Sequence, residues 1–151
     1  MIQLDDDYAE EPLSDGYPYF VQELASAAWL ARRTSAITGR DVETVMPGVT
    51  RMLDQELFDE QFAQVSPREM IYVLALHELG PGAHRTEEIA HALDRPSSSL
   101  SSIRMQLLKK DIIVTPSRGV IEFRLPLTIS YVARHHAALA KRGRLGALPR
   151  R

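Results

Sequence analysis

The side chains in this sequence best suited to chemistry are Ser98, Ser102, Gln106, Lys109 and Arg118. At about 100° per helical residue, Ser98, Ser102, Met105, Gln106 and Lys109 fall opposite an apolar stripe of Leu100, Ile103 and Leu107. Short hydroxyls permit close approach to a phosphate backbone, Gln106 can pair bidentately with adenine, and Lys109 can neutralise a phosphate. Arg118 precedes Gly119, a residue able to take the positive φ of a tight turn tip, from which an arginine can reach a minor groove. These positions predict contact with duplex DNA. Other readings of the same residues stay open. A serine-rich stretch also serves as a helix cap, a loop arginine is often only solvated, and Met105 suits a protein contact better than DNA.

Catalytic chemistry finds no comparable arrangement, and the expectation is a nonenzymatic protein without a cofactor. There is no cysteine, so thiolate metal sites, thiol nucleophiles and disulfides are excluded. His77, His84, His91, His135 and His136 lack metal-ligand spacing, no GxSxG elbow occurs, and no lysine follows a glycine as a phosphate-cradling loop requires. Leu57-Phe58-Asp59-Glu60 superficially resembles the acidic end of a metal-holding strand, but it lies inside a helical period and lacks the preceding apolar run.

Charge divides the chain sharply. Residues 1 to 65 carry four basic and thirteen acidic side chains, residues 66 to 151 fourteen basic and seven acidic, within a total of −2. The near-neutral total therefore says nothing against phosphate binding by the second half, because attraction acts over roughly one Debye length of ~8 Å. The acidic start MIQLDDDYAEE is unlike a signal peptide, and no apolar run approaches the ~18 residues of a membrane span. A cytoplasmic location away from membranes is expected.

The elements that must position these residues are read from period and punctuation. Phe20, Leu24, Ala27, Ala28 and Ala31 predict a helix opened by Pro18. After a break at Thr38-Gly39-Arg40, with Asp41 as N-cap, the helical period resumes through Val49, Leu53, Leu57 and Phe62, interrupted at Pro47-Gly48. Ser66-Pro67-Arg68-Glu69 sets an N-cap, an N1 proline and a capping-box glutamate in register, so a helix starts at Pro67 and stops at Gly80-Pro81-Gly82. A short helix from Thr86, a turn at Asp94-Arg95-Pro96 and a helix from near Ser97 to Lys110 follow. Ile112 to Thr115 and Val120 to Leu125 read as a β-hairpin around Pro116-Ser117-Arg118-Gly119, and Leu127 to Ala140 as a closing helix. Three helices and a hairpin in about 60 residues are the order of a winged helix-turn-helix.

Two groups of phrases carry a resemblance. Asp15-Gly16-Tyr17-Pro18-Tyr19-Phe20-Val21-Gln22-Glu23-Leu24 resembles the lid signature of Orc/Cdc6-like and STAND-related AAA+ ATPases. Ser66-Pro67-Arg68-Glu69, Ser98-Ser99-Leu100-Ser101, Leu107-Leu108-Lys109-Lys110 and Arg118 to Pro126 look like the winged helix after that lid. The resemblance implies that Gly16, Tyr17 and Pro18 lie against an adenine; their other reading is a plain helix start. The phosphate loop and metal-holding acid of those ATPases are absent, and Asp111 stands where their helix ends in glycine, which puts the turn into the hairpin in question. The fold expected is mainly α with a small β-hairpin: an acidic disordered start (1–13), a helical lid-like subdomain (14–65), a winged helix-turn-helix domain (66–135) and a flexible basic tail (136–151). The functions expected are duplex DNA binding or, alternatively, a protein-interaction module that forms a homodimer or docks on an ATPase core supplied by another chain.

Overall fold

The computed structural model describes residues 18–145. The protein is mainly α-helical with a small antiparallel sheet. It divides into two compact units, Met1–Asp59 and Glu60–Arg151, and each is described separately. The expected acidic start, 1–13, lies outside the described residues.

In the first unit α1 (Pro18–Ala31) packs on α2 (Gly39–Leu53). Phe20, Leu24 and Ala28 of α1 are buried, and so are Val42, Val49 and Leu53 of α2. Two sequence expectations are corrected here. The N-cap of α2 is Thr38, not Asp41. The Thr38 hydroxyl accepts the Asp41 N–H at 3.3 Å, while Asp41 Oδ2 accepts the Thr38 N–H at 2.8 Å and its hydroxyl at 2.9 Å. Those donations hold the Asp41 carboxyl below the usual carboxylate range against the opposing effect of burial, with a smaller contribution from Arg33. The second correction is that α2 runs through Pro47 without a break, its apolar stripe continuing on both sides of the proline. A π-helical stretch, Asp54–Asp59, follows, and its wider turn buries Phe58 where the uninterrupted period favoured Leu57.

The second unit begins at α3 (Glu60–Ala63), six residues earlier than the expected boundary, because the Phe62 ring packs on Tyr131 with centroids 4.8 Å apart. The remaining elements are α4 (Pro67–Glu78), β1 (His84–Arg85), α5 (Thr86–Ala92), a 3-10 turn (Ser97–Leu100), α6 (Ser101–Lys109), β2 (Ile113–Ser117), β3 (Val120–Phe123), α7 (Leu127–Arg134) and α8 (His136–Arg144). The capping box at Ser66 and Glu69 is present as the sequence predicts. The expected hairpin is a three-stranded sheet of order β1-β3-β2, with His84 opposite Ile121 and Ile113 opposite Phe123. Its inward pair is Ile121 and Phe123, with Val120 half-buried. Pro116 is accommodated because β2 is an edge strand whose register shifts between Val114 and Ser117. This helix, strand, helix, helix and hairpin succession is a winged helix-turn-helix arrangement.

The closing helix expected over Leu127 to Ala140 divides at His135 into α7 and α8, and the tail expectation is corrected over residues 141–144, which are helical. Leu139 and Gly143 are buried, and the Arg142 guanidinium donates to the carbonyls of Phe62 at 3.0 Å and Val65 at 2.8 Å. A Cβ at Gly143 would stand 3.5 Å from Leu74 Cδ1 and 3.6 Å from Ile71 Cγ1, in ordinary contact, so α8 lies close to α4 here.

Candidate nucleic-acid interface

The candidate surface is built on α6, and what fastens α6 determines what it presents. Leu100 and Leu107 are fully buried and Ile103 half-buried, which turns Ser98, Ser102, Met105, Gln106 and Lys109 to solvent. The structure thus places all five on one exposed face, as the apolar stripe predicts. Among the described residues none of Ser98, Ser102, Gln106 or Lys109 is committed through its side chain to another group.

Adjacent lysines have opposite roles. Lys110 Nζ donates to Glu69 Oε2 at 2.7 Å and Oε1 at 2.9 Å and to the Gln64 carbonyl at 2.8 Å. It therefore ties the C-terminal end of α6 to the capping box of α4. Gln61 Nε2 donates to the carbonyls of Lys110 at 3.0 Å and Asp111 at 3.1 Å, satisfying acceptors that the helix end leaves open. The turn that Asp111 put in question is retained. Asp111 takes the left-handed conformation at φ 58°, its N–H reaches Leu108 O, and the Ile112 N–H reaches Leu107 O, the paired bonds of a Schellman motif. Asp111 Oδ1 also meets Arg124 Nη1 at 2.8 Å. The same motif ends α5, where Asp94 adopts φ 52° and Arg95 N–H reaches Ala90 O.

Arg104 is not among the residues the sequence singles out. It is half-buried beside Tyr72 of α4. Burial pushes the Tyr72 hydroxyl above the usual tyrosine range, and the neighbouring guanidinium opposes that shift. Among the described residues neither the Tyr72 hydroxyl nor Arg104 Nη1 makes a hydrogen bond of ordinary geometry, although the guanidinium lies beside the hydroxyl. Glu69 and Gln61 were also missed as supports of this surface, since only the tertiary pairing reveals them.

The wing is the β2–β3 hairpin. Arg118 is exposed at its tip, and Gly119 supplies φ 75°, as expected. The Thr86 N–H donates to the Gly119 carbonyl at 3.0 Å, joining the start of α5 to the wing. At the other candidate site, Pro18 is exposed at the start of α1, whereas Gly16 and Tyr17 lie outside the described residues. Among the described residues no group of three or more histidine, aspartate or glutamate side chains is placed to hold a metal ion, and no helix is long and apolar enough to cross a membrane.

Against known proteins, residues 55–132, just over half of the 151, match a family described as a domain of unknown function, DUF8462, and the chain belongs to that family. No curated protein and no solved structure matches it.

Proposed function

We propose that this protein is a nonenzymatic winged-helix module that grips duplex DNA with α6 and the wing. The observation that supports this reading is the uncommitted polar face of α6 and the 3-10 turn before it, with Ser98, Ser102, Gln106 and Lys109 all exposed to solvent in the same unit as an exposed wing arginine, Arg118. Lys109 and Arg118 act as phosphate contacts, the serines allow close approach, and Gln106 reads a base edge. The absence of cysteine fits work in a reducing compartment such as the cytoplasm.

A mobility-shift titration across several salt concentrations tests it. Affinity falls as salt rises, and the Lys109→Ala, Arg118→Ala double variant weakens binding to all duplexes while making the logarithmic salt slope about two units shallower. Gln106→Ala lowers discrimination between sequences by about 1–3 kcal/mol at one base position. Unchanged affinity and slope in the folded double variant removes this face from the footprint.

Met105, 55% exposed in the middle of the face, favours a second reading in which α6 docks on protein. The resemblance to AAA+ ATPases makes an ATPase core supplied by another chain the natural candidate. In that case Met105→Lys abolishes capture of the core while DNA has no effect on it. The nucleotide reading at Gly16, Tyr17 and Pro18 is tested by calorimetry: adenine nucleotide binding releases measurable heat, and its absence removes the site.

A further inference from the structure

A second surface of the winged-helix unit is open and shares no residue with α6 or the wing. It is a groove of about 360 Å³ between α4, the end of α5 and α8, floored by Ile71, Leu74, Leu93 and Gly143. Glycine at 143 keeps the floor free of a side chain where α8 crosses α4. The groove is lined at its polar positions by Glu78 of α4 and Arg144 of α8, two opposite charges with no ion pair or hydrogen bond among the described residues. Immediately beyond Arg144, Leu145 is 81% exposed, although Leu139 on the same helix is buried.

We propose that this groove is the contact surface for a second copy of the chain, arranged about a twofold axis. A twofold interface must be self-complementary, each partner offering the same patch to the other. This patch satisfies that condition. It carries one acid and one base, so the axis sets Glu78 of each copy beside Arg144 of the other and forms two equivalent ion pairs. It carries both a hollow and a projecting leucine, so Leu145 of each copy enters the groove of the other. An unrelated apolar partner would use the hollow but leave the charge pair and the exposed leucine unexplained. The inference stands independently of DNA binding, since the two surfaces are separate; if both hold, the dimer presents two α6 helices and its preferred site is an inverted repeat.

Sedimentation velocity of the full chain without DNA, from low to high micromolar concentration, tests the interface. The unaltered protein sediments as a dimer at the upper end. Glu78→Arg and Arg144→Glu each place like charges together twice and weaken self-association by roughly tenfold or more. An equimolar mixture of these two variants recovers the dimer, because each then carries the charges the other lacks. Leu145→Glu yields monomer at all concentrations. Circular dichroism melts establish that the variants are folded. A monomeric unaltered protein, whether the groove is empty or occupied by residues 146–151, overturns the proposal, as do charge variants that dimerise normally or a folded mixture that stays monomeric. None of these outcomes depends on whether the protein binds DNA.

Discussion

The two units open a principal helix with the same local device and use it differently. In the first, Thr38 and Asp41 exchange hydrogen bonds across the first turn of α2. In the second, Ser66 and Glu69 do the same across the first turn of α4, but Glu69 also receives Lys110 from the far end of α6. The first box caps one helix. The second caps a helix and locates another, the one carrying the candidate DNA-contacting residues. A longer acid at the third helical position makes this possible, since glutamate can reach back to the N-cap and still offer an oxygen outward. A capping box is thus a local stability element until its carboxylate is approached by a distant cation, and it then becomes part of the positioning of the site.

The largest separation between the two boxes should come from Lys110→Ala. It leaves the Glu69 carboxylate, 6% exposed, without its counter-charge, and a loss of about 3 kcal/mol in urea unfolding is expected. Lys109→Ala, one residue away and exposed, should stay within about 0.5 kcal/mol. Equal losses in the two would show that the Lys110 pair does not hold α6. Next come the caps themselves: Ser66→Ala and Thr38→Ala should each cost about 1 kcal/mol, read by hydrogen exchange at the amides of the first turns. A markedly greater cost at Ser66 would mean that the hydroxyl, and not the glutamate, carries the tertiary role. A smaller change is expected at the left-handed position after α6, where Asp111→Gly should stabilise by about 0.5 kcal/mol in thermal melts. Relief of the φ 58° conformation exceeds the loss of an exposed ion pair with Arg124.

The finest distinction is in pH. Because the folded-state pKa of Asp41 is lowered, its contribution is complete above the unfolded value of 3.8 and is lost as pH falls through the folded one. Amide protection at the start of α2 should therefore decline in that acid range in the unaltered protein. The decline should be shallower in Asp41→Asn, and identical profiles would remove the carboxylate from the cap.

The second unit was more legible in the sequence than the first, for reasons visible in particular residues. Ser66-Pro67-Arg68-Glu69 combines three helix-start signals in four positions, and Leu100, Ile103 and Leu107 define one face of α6, so the outward set could be named correctly. Gly119 and the turn around Asp94 were readable because few residues take positive φ. At Thr38, by contrast, the following Gly39 reads as a helix breaker and obscures the box formed with Asp41. Pro47-Gly48 reads as an interruption, yet burial of Val42, Val49 and Leu53 keeps α2 continuous against the local preference. The π-helical stretch has no sequence signature, and two-residue β1 is defined only by its pairing with β3. Residues 141–144 read as a solvated tail because three of the four are basic and the other is glycine. Their place in the fold rests on the tertiary contacts made by Arg142, which no sequence pattern announces.

The reach of Arg142 back to Phe62 and Val65 joins the last described helix of the second unit to its first. The matched family range ends at residue 132, before that helix begins. A fragment trimmed to this range would lose both the guanidinium that satisfies two carbonyls and the cover over Ile71 and Leu74, leaving a greasy scar in place of a folded flank. A fragment carried through Arg144 keeps both.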